Sequence, residues 1–137
     1  MGETKPPTTA ELIWSEGLRF AATAGKTAIV VDGDGVAGPS PVQLAAIGIA
    51  ACMGADVVSI LEKGRQPLTG LRVSFSADRA AAPPRRFTRI TLHFHVAGAA
   101  TPAAVERAIA MSRDTYCSVW HSMRPDIELV TSFDIRA

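Results

Sequence analysis

The stretch of sequence from residue 40 to residue 64 reads SPVQLAAIGIAACMGADVVSILEKG. It opens with the signals of a helix N-terminus: Ser40 suits the N-cap, Pro41 the first turn, and Gln43 the return bond of a capping box. Lys63 and Gly64 favour termination at the other end. The pattern therefore predicts one helix of more than about 20 residues, which would be roughly 33 Å long.

The predicted helix is apolar on nearly every side, and Asp56 interrupts its apolar run. Small residues form one stripe along it, and bulkier residues form another. A single sheet would cover only one side of such a helix, so something else must bury the rest. A homodimer in which two copies of the helix pack together meets this need. A membrane span is disfavoured, because a carboxylate near the middle of a bilayer is costly.

Strand-like segments lie on both sides of the helix. Three short apolar segments precede it, and two longer segments of alternating polarity follow it; a second helix and a final strand come last. Because neighbouring strands have no helix between them, the order predicts the α+β class, with antiparallel sheets packed on a long central helix. We expect residues 1–8 to form a flexible tail and residues 9–137 to form a single domain.

The composition excludes several classes of function. The 137 residues carry a net charge of +1, so no broad attraction to nucleic acid or to an anionic membrane is expected. Trp14 and Trp120 are too few and too scattered to stack bases. The N-terminus leads into Pro6 and Pro7 rather than into an apolar signal segment. We therefore expect a cytoplasmic protein, in which cysteines stay reduced unless they cycle for a purpose.

The chain has two cysteines, Cys52 in the long helix and Cys117 after a polar stretch at a helix boundary. On its surroundings alone, Cys52 is either an inert core residue, which is the common case, or a thiol kept in a dry pocket for redox chemistry. Backbone N–H groups at the start of the next helical piece would lower the pKa of Cys117. Two cysteines cannot supply a four-ligand zinc site alone.

The three histidines give weaker signals. His93 and His95 share one face of a predicted strand, and such a pair can hold a metal, but no third ligand is evident in the sequence. We therefore predict no metal site. His121 lies four residues after Cys117 and either lowers the pKa of that thiol or decorates the surface; we favour the surface.

Several separated motifs resemble the OsmC/Ohr family, the osmotically inducible and organic hydroperoxide resistance proteins. They agree in order and spacing from about residue 10 to residue 135, and the gap of 65 positions between the cysteines (117 − 52) also suits that family. The motifs are Ser40–Leu44, Ala50–Cys52, Asp56–Leu61, Gln66–Leu71 and Tyr116–Val119.

The resemblance implies an intertwined homodimer with thiol peroxidase activity on organic hydroperoxides. In that reading Cys52 attacks the peroxide and becomes a sulfenic acid, and Cys117 condenses with it to a disulfide. An external dithiol, typically of the lipoyl type, would reduce the disulfide by exchange. The resemblance implies no metal and no bound organic cofactor.

The chain departs from the family pattern at one position. Family members hold an activating arginine with a glutamate ten positions before the first cysteine, where this chain has Val42. Arg19 lies about where the family arginine would fall, and we predict a catalytic role for it beside the two cysteines. We predict substrate contacts from Phe20, Gln43 and Met53. The missing glutamate keeps a second hypothesis open: a non-catalytic dimer that binds a small hydrophobic molecule.

Overall fold

The computed structural model describes residues 2–137 and confirms the α+β class. Of the predicted tail, Met1 lies outside the described residues, and residues 2–8 are exposed, without helix or strand. The elements, in chain order, are β1 Glu11–Glu16, β2 Arg19–Ala24, β3 Thr27–Asp32, α1 Pro41–Lys63, β4 Gly70–Arg79, β5 Phe87–Ala97, α2 Pro102–Met111, a π-helical turn Ser112–Tyr116, α3 Ser118–His121 and β6 Glu128–Arg136.

The chain divides into two compact units, one ending at Ala45 and the other comprising Ala46–Ala137. The first unit contains an antiparallel sheet in the order β1-β2-β3. Gly17 and Gly25 sit in its two hairpin turns with positive φ angles of 55° and 58°, a conformation that favours glycine. The prediction of a single domain over residues 9–137 stays a prediction.

The start of α1 is the capping box that the sequence predicts. The Ser40 backbone N–H donates to Gln43 Oε1 at 2.9 Å, and the Gln43 backbone N–H donates to Ser40 Oγ at 3.1 Å. Two N–H groups that have no partner within the helix are satisfied in this way. Gln43 therefore has a structural role at the helix start.

The second unit contains the sheet β4-β5-β6, and its topology differs from the sequence prediction in one pairing. Strands β4 and β5 are antiparallel, as expected, but β5 and β6 are parallel. The prediction of purely antiparallel sheets is wrong at this point. Parallel neighbours need a crossover connection, and α2 lies in the chain segment that makes it.

The core of the second unit lies between α1 and the central strand β5. Along α1 the large buried side chains recur every four positions: Ile49, Met53, Val57 and Leu61. Along β5 they alternate: Ile90, Leu92, Phe94 and Val96. A helical period meets a strand period here, which is how a helix packs on one face of a sheet.

A second side of α1 stays open. By length and composition alone this helix could cross a membrane, yet only 28% of its most apolar stretch is buried within the chain. Ile47 is 53% exposed, and Ala51 and Ala55 are also exposed. An open apolar groove of about 430 Å³ follows this side, and Leu71 and Val73 of β4 contribute to its lining.

Candidate functional site

Cys52 lies on α1 beside the buried stripe of that helix. Its neighbour Met53 is fully buried, whereas Cys52 is half-buried and packs against the core from its edge. It is a free thiol. Cys52 therefore lies where the apolar core of the second unit meets its surface.

Cys117 is placed by an irregularity in the backbone. After α2 the chain makes a single π-helical turn over Ser112–Tyr116, and the Cys117 backbone N–H donates to the Ser112 carbonyl at 2.9 Å. Cys117 then adopts an extended conformation and becomes the N-cap of α3, where its Sγ accepts the Trp120 N–H at 3.3 Å. Single π-turns are frequent at functional sites. The thiol is completely buried.

The surroundings of Cys117 favour its neutral form. Burial raises the pKa of the Cys117 thiol to about 11, and the nearby Cys52 thiol and Asp56 carboxylate push it in the same direction. The N–H of Trp120 opposes the shift without reversing it. The sequence prediction that a helix start would lower the pKa of Cys117 is therefore wrong in its net direction, because burial outweighs the single N–H donor.

The effect of Cys52 on the pKa of Cys117 also shows where the two cysteines lie relative to each other. Cys52 is one of the groups that raise the pKa of the Cys117 thiol, so the two thiols lie near each other although 65 positions separate them in the chain (117 − 52). Helix α1, which carries Cys52, and helix α3, which begins directly after Cys117, both contribute side chains to the core of the second unit. The catalytic pairing of the two thiols stays a prediction.

Asp56 links helix α1 to the π-helical turn by a hydrogen bond. It lies one turn after Cys52 on α1, and its Oδ2 accepts a hydrogen bond of 2.8 Å from Ser112 Oγ in the π-helical turn. Ser112 is fully buried. Sequence reasoning missed Ser112, because a lone serine near a helix end carries no signal of a buried partner. A cavity of about 410 Å³ adjoins this pair, and it is lined by Asp56, Ser59, Ile60, Lys63, Met111 and Tyr116.

The other predicted site residues have structural contacts within their own units. Arg19 pairs with the buried Asp32, at 3.5 Å between Nε and Oδ2, and with Glu16, at 3.6 Å between a guanidinium nitrogen and Oε1. Phe20 is half-buried in β2. Met53 is a core residue of the second unit. The catalytic role of Arg19 and the substrate contacts of Phe20, Gln43 and Met53 stay predictions.

Asp32 organises the loop after β3. Its carboxylate accepts the backbone N–H groups of Asp34, Val36 and Ala37 at 2.9 to 3.3 Å. The hydrogen bonds from Ala37 and Asp34, with smaller help from Arg19, hold the pKa of the Asp32 carboxyl below its usual value. Arg19 therefore faces a carboxylate that is ionised at neutral pH.

His121 is exposed, which agrees with the prediction that it decorates the surface. It lies four residues after Cys117 on α3, as the sequence requires. The pKa of the Asp114 carboxyl is lowered mainly by its hydrogen bond from Arg113. The nearby His121 lowers the same pKa by a smaller amount.

Comparison with known proteins identifies the family to which this chain belongs. The profile of the OsmC family, described as OsmC-like protein, matches residues 32–132. Protein YhfA of Escherichia coli K12 is 37% identical over 131 residues, which cover 93% of this chain and 98% of the relative. The chain belongs to the OsmC-like protein family, as the sequence motifs predicted.

Solved structures agree with this assignment. A hypothetical protein from Aquifex aeolicus VF5 is similar with a TM-score of 0.90 and 25% identity, covering 96% of this chain and 98% of that one. An OsmC-like protein from Mycoplasma pneumoniae has a TM-score of 0.85 at 13% identity, covering 98% and 100%. An organic hydroperoxide resistance protein OsmC from Legionella pneumophila has a TM-score of 0.71 at 18% identity, covering 96% and 99%. The last two likenesses show the fold alone.

Proposed function

We propose that this protein is a two-cysteine peroxidase that reduces organic hydroperoxides in defence against oxidative stress. The observation that carries the proposal is that Cys52 lies near enough to the buried Cys117 to raise the pKa of that thiol. Family membership supports it, and so does the similarity to the Legionella pneumophila protein, which is an organic hydroperoxide resistance protein. The apolar surroundings of Cys52 suit an alkyl hydroperoxide better than hydrogen peroxide.

The proposed cycle has three balanced steps. The Cys52 thiolate attacks the distal oxygen of the hydroperoxide; the O–O bond breaks, the alkoxide takes a proton and leaves as an alcohol, and Cys52 becomes a sulfenic acid. The Cys117 sulfur then attacks the Cys52 sulfur, which forms a disulfide and releases water. An external dithiol returns the pair to two thiols and is itself oxidised to a disulfide.

The two thiols differ in a way that fits these separate roles. Cys52 is half-buried, whereas Cys117 is completely buried. The raised pKa of Cys117, which follows mainly from burial, keeps it neutral while peroxide is being reduced. A neutral, enclosed thiol is a poor competitor for peroxide. This difference supports Cys52 as the peroxidatic residue and Cys117 as the resolving residue.

Arg19 is the cation that the family resemblance assigns to this chemistry, and we keep that assignment as part of the proposal. The buried Asp32 stands where it can hold the guanidinium in place. Such a carboxylate could perform the holding role that the family gives to the glutamate, a position occupied here by Val42. Arg19→Ala should then slow peroxide reduction, whereas Arg19→Lys should retain part of the rate.

The homodimer is the second part of the proposal. The open groove along α1 is apolar, and its lining includes Ala50, Ala51, Gly54 and Ala55, whose small side chains permit close approach of a second helix. A second copy of this chain would bury that apolar surface, so burial in a lipid bilayer would not be required. The dimer, a cytoplasmic location and a lipoyl-type reductant all belong to the proposal, as does the expectation that nucleic acid is not a partner.

The test is a stopped-flow measurement of thiol consumption by cumene hydroperoxide, with reduced wild-type protein beside Cys52→Ser and Cys117→Ser. We expect wild type to react fast and to end as an intramolecular disulfide. Cys117→Ser should react as fast but stop at a sulfenic acid that dimedone traps. Cys52→Ser should be slow. A Cys52 thiol that reacts no faster than free cysteine would contradict the peroxidase.

One observation favours the alternative function, a dimer that binds a small hydrophobic molecule without turnover. Val42 replaces the glutamate expected from the family, and it is exposed. In that case wild type and Cys52→Ser would react equally slowly with the hydroperoxide, and both would bind a fluorescent apolar probe with the same affinity. Fast reaction at Cys52 would exclude this alternative.

A further inference from the structure

The outer face of the second sheet carries a polar cluster that the thiol chemistry does not use. His93 and His95 lie on the central strand β5, and Asp134 lies on the neighbouring strand β6. Asp134 Oδ1 is 2.6 Å from His93 Nε2 and 2.9 Å from His95 Nδ1. The three ligand atoms lie within 4.8 Å of one another. Two imidazole nitrogens and one carboxylate oxygen therefore converge on one point.

Two serine hydroxyls hold the far sides of the imidazoles. Ser132 Oγ is 2.7 Å from His93 Nδ1, and Ser74 Oγ is 3.1 Å from His95 Nε2. A hydroxyl can donate or accept, so each serine suits either tautomer of its histidine. When the nitrogen nearer Asp134 gives its lone pair to a metal ion, the serine can accept the N–H on the other side. Outer partners of this kind orient histidines that bind metals.

The parallel pairing of β5 and β6 creates this arrangement. In the register, His95 lies opposite Asp134 and His93 lies opposite Ser132. Sequence reasoning found the two histidines but missed the third ligand, because Asp134 is 41 positions from His93 and only the crossover aligns the strands. The ligands stand on hydrogen-bonded strands, which hold side chains more firmly than loops do.

The cluster is open to solvent. The side chains of His93, His95 and Asp134 are 31%, 23% and 44% exposed, so a hydrated ion could reach them and keep some of its water. Arg72 donates to Ser74 Oγ at 3.3 Å, which adds a positive charge behind one of the outer partners. This charge opposes a cation, so moderate rather than tight binding is expected.

We propose that His93, His95 and Asp134 bind a divalent first-row transition-metal ion, with water completing its coordination. Two imidazoles and a carboxylate form a donor set for Zn²⁺ and related ions, whereas Mg²⁺ and Ca²⁺ prefer oxygen ligands. Tetrahedral ligands about 2.0 Å from zinc are roughly 3.3 Å apart. The partly exposed Asp134 therefore needs to withdraw by less than about 1 Å from its present hydrogen bonds.

The test is calorimetric titration of Zn²⁺ into untagged full-length protein that carries Cys52→Ser and Cys117→Ser, because thiolates would otherwise bind zinc. We expect one ion per chain. His93→Ala, His95→Ala and Asp134→Ala should each weaken binding more than about tenfold, and Ser132→Ala should weaken it about tenfold. His121→Ala is the matched control, since it removes the one other histidine, and it should bind as the parent does. Mg²⁺ should give no binding.

A second measurement needs no substitution in the cluster. In the same parent protein, Zn²⁺ should shift the NMR signals of the His93 and His95 imidazoles and leave those of His121 in place. The proposal is overturned if the parent binds no zinc, if binding survives His93→Ala combined with His95→Ala, or if His121 alone responds. Because both cysteines are absent from this protein, none of these outcomes bears on the proposed peroxidase.

Discussion

The two three-stranded sheets of this protein use apolar residues in opposite ways. In β1 every residue is exposed, and Ile13 and Trp14 are each 63% exposed. In β5, by contrast, Leu92 and Phe94 are fully buried, and polar residues alternate with them. The β4-β5-β6 sheet has a core within its own unit. The β1-β2-β3 sheet shows apolar side chains that one chain leaves exposed, which is the condition that a second copy would relieve.

The largest effect should come from truncating the buried sheet. Phe94→Ala should lower the free energy of unfolding by about 3–5 kcal/mol, because the change leaves a cavity in a packed core. Trp14→Ala, a comparable truncation in the exposed sheet, should cost much less within one chain. Urea denaturation of both variants beside wild type measures the difference. Equal losses would contradict the expected difference in burial between the two sheets.

The next effect concerns the surface that we assign to a second copy. Ile47→Asp places a charge in the groove along α1 and should weaken self-association by more than about tenfold, because an unpaired charge in an interface is costly. Sedimentation velocity at low micromolar concentration would then show a monomer where wild type shows a dimer.

Ala103→Asp provides the matched control for that substitution. Ala103 is exposed in the first turn of α2, where a carboxylate is favourable, so this variant should remain dimeric. A wild-type protein that sediments as a monomer would contradict the proposed dimer. Dissociation of the Ala103 variant would show that charge alone, rather than the groove, controls association.

A smaller effect tests the burial of Cys117 through the pH dependence of stability. Burial raises the pKa of Cys117 to about 11 in the folded chain, whereas an unfolded thiol ionises near about 8.5. Between these values the unfolded chain loses its proton first, so stability is unaffected below about pH 8 and falls as the pH rises towards 11. After allowance for solvent screening, we expect a loss of about 1 kcal/mol.

The measurement for Cys117 is the difference between wild type and Cys117→Ala in urea denaturation, under reducing conditions, at pH 8 and at pH 10.5. The difference cancels the titration of other groups, so it should change in favour of the alanine variant at the higher pH. Parallel behaviour of the two proteins would show that Cys117 ionises as easily in the folded chain as in the unfolded one.

The local features of the two units can be predicted from the sequence. The capping box at Ser40, the length of α1 and the alternation along β5 follow from neighbouring residues and are confirmed. The parallel pairing of β5 with β6 and the bond between Asp56 and Ser112 depend on residues far apart in the chain. A pattern of neighbouring residues does not predict contacts between residues so far apart in the chain.

The thiol site shows the same limit. The position of Cys117 at the start of a helix was predictable from its neighbours, but the direction of its pKa was not. Burial decides that direction, and burial is set by the packing of α1 and of the sheet against it. The catalytic role predicted for Cys52 likewise comes only from the family motifs, since its apolar neighbours alone suggest an inert residue.

A last effect, similar in size to that of Cys117, compares the starts of the two helices, one in each unit. Ser40 caps α1, and Thr101 caps α2, where its hydroxyl accepts the Ala104 N–H at 3.2 Å. Ser40→Ala and Thr101→Ala should each cost about 1 kcal/mol, because each leaves a backbone N–H without its partner, and the corresponding glycine variants should cost only a few tenths. Thermal or urea denaturation measures both. If Gln43 also contacts substrate, Gln43→Ala should slow peroxide reduction while Ser40→Ala, which breaks the same capping box, should not. Equal rates for these two variants would assign Gln43 to the helix start alone.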